Sequence, residues 1–418
     1  MAKLRIEGGR RLSGRITVEG NKNSALPLLA ACLLTDQECV LTNVPRIRDV
    51  AVLVDLMVGL GAKVEGVGTT TIRVRCETIT SDTPDPVLVG KLRGSVLLLG
   101  PLLARTGSAR LAQPGGDFPA RRTITTHLQA LVAMGAVELD EPGHALEAPK
   151  GLTGASFYQD EASVTGTETA LLAAAAAKGR TEIRHAAMEP HVAELCRFLQ
   201  AMGVSIEGGG TSTIRVEAPA RFKGAEHRLD GDYVEAGSWG VTAAITGGSI
   251  EVLGARTLDL EVVTAPLRGM GLRCDYSGDR LLVESAPLTA VKRITTGLWP
   301  GFPSDMVSLV TVLATQADGR TLVHDWLYEL RLFALEQLSA MRAGLFLCDP
   351  HRIIVSGPTK LRGRLLDARD LRSGMALIAA ALAAEGESRV TPLETVERGY
   401  ASLVERLKSL GAMVEREE

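Results

Sequence analysis

Hydrophobic and polar positions along the chain follow one pattern that recurs six times. An amphipathic, helix-like segment ends in a small-residue stop and turns into an alternating, strand-like segment, as at residues 133–138 and 201–207. The stops are spaced by 74, 68, 68, 71 and 69 residues and lie at Gly61, Gly135, Gly203, Gly271, Arg342 and Gly411. Glycine favours a left-handed helix stop, and alternation favours a strand. The pattern therefore predicts six copies of one structural unit.

A second set of segments is rich in alanine and apolar on most faces. Residues 169–177, for example, are nearly all alanine and leucine. These segments end before Gly107, Gly179, Gly248, Gly319 and Gly386. A helix that is apolar all round is buried, so we expect each unit to be α/β, with strands around a buried helix. A chain of 418 residues is too long for one ordinary core, which predicts two domains of three units each.

Composition and motifs exclude several classes of protein. Aromatic residues make up 4% of the chain and the net charge is −3, so neither stacking platforms nor a basic field favours nucleic acid or anionic membranes. The six cysteines form no CxxC pair, and we expect them to be reduced core residues. No signal-peptide core or long apolar stretch is evident, which favours a cytoplasmic protein. The sequence contains neither a GxGxxG motif nor a P-loop, so it gives no support to nicotinamide or ATP chemistry.

Polar residues cluster where the predicted buried helices begin. They are Lys22, Asn23, Arg93, Ser163, Thr165, Thr167, Asp232, Glu235, Asp305, Asp370 and Arg372. Helix N-termini present free N–H groups and attract anions. Any one of these residues could be a simple cap. Their recurrence at the same phase of the repeat predicts a site for phosphate or carboxylate groups.

The loop from Gln113 to Arg122 combines two adjacent glycines with two prolines, so it is neither helix nor strand. It carries a carboxylate at Asp117 and a guanidinium five positions later at Arg122. Such a loop can be a plain surface turn. It can also place a proton donor beside an anion clamp.

Taken together, the six units and the segment Gly20-Asn21-Lys22-Asn23 resemble the enolpyruvyl transferase family over essentially the whole chain. Further markers are residues 43–49, 99–105, 114–116, 300–306, Asp370-Leu371-Arg372 and Arg398-Gly399-Tyr400. The resemblance is closer to the branch that acts on UDP-N-acetylglucosamine than to 5-enolpyruvylshikimate-3-phosphate synthase.

This resemblance implies a two-domain inside-out α/β barrel, with three βαβαββ-type repeats around buried helices in each domain. One domain would comprise residues 22–229 and carry a lid at about 113–123, and the other residues 1–21 plus 230–418, with ligands in the cleft between. The implied reaction moves the enolpyruvyl group of phosphoenolpyruvate to a hydroxyl of a nucleotide sugar and releases phosphate. The leading acceptor is the 3-hydroxyl of UDP-N-acetylglucosamine, in peptidoglycan precursor synthesis. Neither a metal nor another cofactor is expected.

The resemblance also implies roles for individual residues. Lys22, Arg122 and Arg398 would grip phosphoenolpyruvate, Asp305 would take the proton of the acceptor hydroxyl, and Asp117 would protonate the methylene carbon. Further substrate-binding positions are Asn23, Arg93, Ser163, Val164, Thr165, Leu327, Arg331, Asp370 and Arg372. Arg331 follows Glu329 and Leu330, and could instead belong to a solvated ion-pair surface.

The chain departs from the family pattern at the lid and on the acceptor side. Most members have cysteine where this chain has Asp117, and the acceptor-side departures are Thr123-Ile124-Thr125, Glu161, Thr165 and Leu330. Two alternatives remain open: transfer to a different nucleotide or sugar acceptor in a specialised-metabolite pathway, and a catalytically silent paralogue that binds a nucleotide sugar. Because the epoxide fosfomycin alkylates the lid thiolate of relatives, Asp117 also predicts fosfomycin resistance.

Overall fold

The computed structural model describes residues 2–115, 123–329 and 331–418. The strands are β1 (Lys3–Glu7), β2 (Ser13–Thr17), β3 (Cys39–Thr42), β4 (Lys63–Glu65), β5 (Thr71–Arg75), β6 (Ser108–Leu111), β7 (Val137–Glu138), β8 (His144–Glu147), β9 (Ser156–Tyr158), β10 (Arg180–Arg184), β11 (Ser205–Glu207), β12 (Thr213–Glu217), β13 (Glu226–Arg228), β14 (Ser249–Leu253), β15 (Arg273–Ser277), β16 (Arg280–Glu284), β17 (Arg293–Thr295), β18 (Gly319–His324), β19 (Gly344–Asp349), β20 (Arg352–Gly357), β21 (Leu365–Asp367), β22 (Glu387–Thr391) and β23 (Met413–Glu417).

The α-helices are α1 (Lys22–Ala31), α2 (Arg48–Gly59), α3 (Pro86–Val89), α4 (Leu99–Thr106), α5 (Thr125–Ala133), α6 (Val164–Ala174), α7 (Pro190–Ala201), α8 (Tyr233–Ile245), α9 (Thr257–Gly269), α10 (Val307–Ala314), α11 (Gln337–Ala340), α12 (Leu371–Ala383), α13 (Leu393–Glu397) and α14 (Leu403–Ser409). Short 3-10 helices are Cys32–Leu34, Arg93–Leu98, Ser304–Met306 and Arg331–Glu336.

The chain divides into two compact units. Of the described residues, 20–115 and 123–230 form the N-terminal unit, and 2–19 together with 231–418 form the C-terminal unit. The sheets found in the N-terminal unit have the strand orders β13-β3-β5-β4, β6-β8-β7 and β11-β12-β10-β9. Those found in the C-terminal unit are β15-β16-β14-β2, β17-β18-β20-β19 and β21-β22-β1-β23.

Five of these six sheets share one pattern, a parallel strand pair extended by two antiparallel strands. In one of them β2 lies parallel to β14, with Ile16 opposite Val252, and β14 then pairs antiparallel with β16 and β16 with β15. The same pattern recurs in the sheet built on β17 and β18. The repeat seen in the sequence is therefore a repeat of sheet topology.

The core of each unit is built on apolar helices. Every residue of α8 and α10 is buried, including the large side chain of Trp239, and these two helices pack against each other and against α12. In the N-terminal unit α6 packs against α1 and α4. The prediction of helices buried on all faces is thus confirmed. In the described part of the chain no helix has both the length and the apolar character needed to cross a membrane.

The predicted helix stops adopt the left-handed conformation at all six positions. The φ angles are 105° at Gly61, 94° at Gly135, 103° at Gly203, 99° at Gly271, 93° at Gly411 and 73° at Arg342. Left-handed backbone is favourable for glycine and strained for residues with a Cβ. Arg342 therefore keeps the geometry of the repeat at a cost in strain.

Replacing Arg342 with glycine is expected to stabilise the protein. Relief of left-handed strain outweighs the entropy that glycine adds to the unfolded chain, so the free energy of unfolding should rise by about 0.5–1 kcal/mol. Gly411→Ala is the matched opposite change, because a Cβ there meets no atom within 4 Å and introduces strain alone. Urea unfolding of both variants tests the prediction, and a destabilised Arg342→Gly protein would contradict it.

The cysteines confirm the sequence prediction only in part. Cys32, Cys39, Cys76, Cys196 and Cys274 are buried free thiols, but Cys348 is exposed. Cys348 lies in β19 at the edge of its sheet, where alternate side chains, including Phe346, face solvent. Its prediction as a core residue was wrong because strand alternation at a sheet edge outweighs the apolar sequence around it.

Candidate active site

The C-terminal unit places Asp305 between two guanidinium groups. Asp305 lies in the 3-10 turn that leads into α10, and its side chain is 27% exposed. Arg372 donates from Nε at 3.1 Å and from Nη2 at 2.8 Å to Oδ2 of Asp305, and Arg331 approaches Oδ1 with Nη1 at 3.3 Å. Two adjacent guanidinium groups favour the ionised carboxylate, so Asp305 is held as an anion that can receive a proton.

Arg331 is a buried part of this cluster. Its side chain is 12% exposed, its Nη1 donates to Ser304 Oγ at 2.7 Å, and its guanidinium lies 4.3 Å from the centre of the Tyr328 ring. Burial alone would lower the pKa of Arg331, but the neighbouring Asp305 carboxylate and other negative groups raise it overall. The alternative of a solvated ion-pair surface is therefore wrong for Arg331.

Asp325 holds the turn that carries Asp305. It is fully buried, and its carboxylate accepts hydrogen bonds from Ser304 Oγ at 2.6 Å and from Thr296 Oγ1 at 2.8 Å. The backbone N–H of Leu327 also donates to Asp325, at 3.3 Å. Leu327 and the Asp305 turn, both predicted site positions, are thus connected by a residue that the sequence patterns did not single out.

The start of α12 positions Arg372. Asp370 caps this helix, because its Oδ1 accepts from the backbone N–H groups of Arg372 and Ser373, both at 3.0 Å. Asp370 therefore has the capping role that any of the polar helix-start residues could have.

Arg398 lies half-buried, directly after α13 in the same unit. Its assignment to phosphoenolpyruvate stays a prediction.

In the N-terminal unit, Lys22 is the first residue of α1 and pairs with a buried carboxylate. Its Nζ lies 2.7 Å from Oδ2 of Asp49, and the two side chains are 14% and 3% exposed. Asn21 caps α1 by accepting from the backbone N–H of Asn23 at 2.8 Å. Asp49 was not predicted as a site residue, although it closes one of the motifs that carried the family resemblance.

The start of α6 gathers the predicted acceptor-side residues. Ser163 caps the helix by accepting from the backbone N–H of Gly166 at 3.2 Å, and Val164 and Thr165 follow in the first turn, half-buried. The Oγ1 of Thr165 lies 2.9 Å from Nε2 of His127 on α5. Thr165 is therefore held by a histidine that sequence reasoning did not identify.

His127 is buried and uncharged. Burial lowers the pKa of His127 to about 3, and the positive charge of Arg93 acts in the same direction. Arg93 begins its own 3-10 helix and donates to the backbone oxygen of Thr123 at 2.6 Å. The predicted residue Arg93 thus lies in the electrostatic surroundings of His127.

His127 is expected to make stability depend on pH. Its native pKa lies below the value of 6.5 for an unperturbed histidine, so only the unfolded chain takes up a proton between about pH 6.5 and pH 3, and stability falls as the pH falls through this window. From about pH 7 to about pH 5, wild type should lose roughly 2 kcal/mol more than His127→Gln. Urea unfolding at both pH values measures the difference, and equal losses in the two proteins would refute the prediction.

Asp117, Arg122 and Leu330 lie outside the described residues, so their roles stay predictions. The first residues of the predicted lid, 113–115, are described. The backbone N–H of Gly115 donates to Val89 O at 3.0 Å, and a Cβ on Gly115 would lie 2.1 Å from the oxygen of Gly90. Only glycine permits this approach, so the loop containing Asp117 starts from a fixed point. Nowhere in the described ranges do three or more His, Cys, Asp or Glu side chains form a group that could hold a metal ion.

Residues 6–407 match the model of the family described as EPSP synthase (3-phosphoshikimate 1-carboxyvinyltransferase). Two similar relatives are both named UDP-N-acetylglucosamine 1-carboxyvinyltransferase. The protein from Bradyrhizobium diazoefficiens is 42% identical, with 98% of this chain and 97% of the relative covered. The protein from Treponema denticola is 41% identical, with 99% of each chain covered.

Two solved structures have the same fold. The enolpyruvyl transferase NikO from Streptomyces tendae has a TM-score of 0.87 at 25% identity, covering 99% of this chain and 98% of its own. The EPSP synthase from Acinetobacter baumannii has a TM-score of 0.76 at 18% identity over the whole of both chains, and shows the fold alone. These structures confirm the predicted fold class. The chain belongs to the enolpyruvyl transferase family whose model is described as EPSP synthase.

Proposed function

We propose that this protein transfers the enolpyruvyl group of phosphoenolpyruvate to the 3-hydroxyl of UDP-N-acetylglucosamine and releases phosphate. The observation that carries the proposal is the identity of about 40%, over nearly the full length, with relatives named for this reaction. The proposed setting is peptidoglycan precursor synthesis in the cytoplasm. The proposed partners are the two small substrates, without nucleic acid or membrane.

Asp305 is the proposed base. A hydroxyl group must lose its proton as its oxygen bonds to the central carbon of phosphoenolpyruvate, and a positioned carboxylate can receive that proton. Arg331 and Arg372 hold the carboxylate in one orientation and stay charged while it accepts the proton. Asp305 would thus receive the proton, while the two buried guanidinium groups would only hold it in place.

The phosphate and carboxylate of phosphoenolpyruvate are assigned to Lys22, Arg122 and Arg398. A substrate with several negative charges requires several donors that are charged at neutral pH, and guanidinium groups also match the geometry of phosphate and carboxylate. The ion pair with Asp49 supports the role of Lys22, because it holds the ammonium group at the start of α1. Asn23, in the same helix turn, is assigned to the same substrate region.

Asp117 is the proposed acid that adds a proton to the methylene carbon of phosphoenolpyruvate. Carbon protonation requires a carboxylic acid that keeps its proton near neutral pH, and a neighbouring phosphate favours the protonated form by like-charge repulsion. Asp117, now a carboxylate, then takes a proton back from the same carbon as the bond between the central carbon and the phosphate oxygen breaks, which restores the double bond in the product and releases phosphate.

A phosphate-release assay across a panel of acceptors tests the proposal. The purified protein is incubated with phosphoenolpyruvate and, separately, with UDP-N-acetylglucosamine, other nucleotide sugars and free nucleotides. Phosphate release that depends on UDP-N-acetylglucosamine is the expected result. Release with none of the acceptors would instead favour a catalytically silent paralogue that binds nucleotide sugars.

Transfer to a different nucleotide acceptor is the second candidate, and the start of α6 favours it. The exposed carboxylate of Glu161 lies two residues before the helix cap Ser163. A negative side chain there opposes a diphosphate, which a helix N-terminus otherwise attracts. UDP-N-acetylglucosamine carries a diphosphate, so in the acceptor panel Glu161→Lys should improve its turnover if this candidate is correct. It should leave turnover with UDP-N-acetylglucosamine nearly unchanged if the leading proposal is correct.

A further inference from the structure

A hydrogen-bonded chain extends from Arg372 into the core of the C-terminal unit. Arg372 Nη1 lies 3.4 Å from the hydroxyl of Tyr400, that hydroxyl lies 2.9 Å from Ser238 Oγ, and Ser238 Oγ lies 2.7 Å from the carbonyl oxygen of Val234. Tyr400 and Ser238 are fully buried, and Arg372 is 6% exposed. The chain joins α12 to α8 through a tyrosine that no predicted role had included.

The chemistry of its two ends fixes the direction of this chain. Arginine has only donors, and the carbonyl of Val234 only accepts. Arg372 therefore donates to Tyr400, Tyr400 donates to Ser238, and Ser238 donates to Val234. Burial raises the pKa of Tyr400, so its hydroxyl keeps the proton that this direction requires.

The other side of the same guanidinium holds Asp305. Nε and Nη2 of Arg372 both donate to Oδ2 of Asp305, at 3.1 and 2.8 Å, while Nη1 donates to Tyr400. A guanidinium is planar and rigid, so an anchor on Nη1 also fixes the direction of the other two donors. The buried hydroxyl of Tyr400 therefore bonds to the same guanidinium that holds Asp305.

We propose that Tyr400, supported by Ser238, is a positioning residue that sets the Asp305 carboxylate through Arg372. Its effect on turnover rests on the proposed function, in which Asp305 receives the proton of the acceptor hydroxyl. Tyr400 itself touches neither Asp305 nor the reacting groups in this scheme. It acts by removing the rotational freedom of the guanidinium that holds the base.

The first test compares Tyr400→Phe with Ser238→Ala. Tyr400→Phe keeps the ring in the core and removes the acceptor for Nη1, so kcat should fall about tenfold, with a smaller change in KM for either substrate. Ser238→Ala leaves the tyrosine hydroxyl in place, and a loss of about threefold is expected. The matched control is Tyr276→Phe, which removes an exposed tyrosine hydroxyl that pairs with Glu261 in the same unit, and its kcat should be unchanged.

A double-mutant cycle with Asp305→Asn separates positioning from a general structural role. If Tyr400 acts through Asp305, adding Tyr400→Phe to Asp305→Asn should change kcat less than about twofold. A full tenfold loss in the Asp305→Asn background would overturn the proposal. An unchanged kcat in Tyr400→Phe alone would also overturn it.

The same cycle followed by urea unfolding does not depend on catalysis. The shifts in midpoint caused by Tyr400→Phe and Asp305→Asn should be non-additive, because both changes act on one guanidinium. Additive shifts would overturn the proposed coupling through the hydrogen-bonded chain. If the cycle shows this coupling but the wild-type protein turns over no acceptor, the hydrogen-bonded chain stands and the proposed function is refuted. The two failures are therefore distinguishable.

Discussion

Asp305→Ala is expected to lower turnover about 100-fold or more while leaving the binding of phosphoenolpyruvate largely intact. The carboxylate lies in the turn before α10 and is ionised between Arg331 and Arg372. Its removal takes away the group that receives the hydroxyl proton, whereas the two guanidinium groups that can hold anions remain. Steady-state kinetics and equilibrium binding of phosphoenolpyruvate measure the two effects separately.

The control for this variant is Asp349→Ala. Asp349 also pairs with an arginine of the C-terminal unit, Arg352, but at the surface hairpin of β19 and β20. Its loss should leave kcat within about twofold of wild type. If Asp305→Ala keeps more than about a tenth of the wild-type rate, Asp305 is not the base.

Asp117→Cys is expected to convert a fosfomycin-resistant protein into a sensitive one. Opening of the epoxide requires a strong, soft nucleophile, and a thiolate meets this requirement far better than a carboxylate. Wild type should therefore keep its activity in excess fosfomycin, whereas Asp117→Cys should lose activity with time and gain the mass of one inhibitor molecule. Asp117→Asn should lose turnover, because an amide does not donate a proton to carbon.

Peptide mapping makes the fosfomycin experiment specific. Cys348 is exposed and provides an internal control for non-specific alkylation in both proteins. The adduct should be found on the peptide containing position 117 in the Asp117→Cys variant, and on no loop peptide of wild type. Covalent modification of that peptide in wild type would overturn the prediction of resistance.

Much of the fold was predictable because its signals are local. A helix that is apolar on most faces, such as α8, is expected to be buried, and a left-handed stop is encoded by glycine at five of its six occurrences. Arg342 was recognised from its spacing and from Ala340, Met341 and Ala343 around it, since its own identity argues against the conformation. Strand pairing was less accessible: β13 pairs with β3, in which Val40 lies 186 residues before its partner Glu226, and no local periodicity specifies such a partner.

For the site, the sequence predicted which residues begin the buried helices but not what each of them contacts. Lys22 and Asp305 were identified from their phase in the repeat and from the family resemblance. Asp49 pairs with Lys22, and Tyr400 bonds to the Arg372 that holds Asp305. Asp49 and Tyr400 come from distant segments, and the motifs that contain them do not specify what their side chains contact. His127 was missed for the same reason, because burial makes it distinctive and burial of one side chain is decided by packing.

Identifying the product formed from phosphoenolpyruvate and UDP-N-acetylglucosamine tests the proposed reaction most directly. Mass spectrometry and carbon NMR of the reaction mixture show whether a carboxyvinyl group has replaced a hydroxyl hydrogen, and on which oxygen. The expected product is a UDP-N-acetylglucosamine that carries the carboxyvinyl group on its 3-oxygen, formed together with an equal amount of phosphate. The proposed reaction would be contradicted if UDP-N-acetylglucosamine stays unmodified while the protein transfers the group to another acceptor.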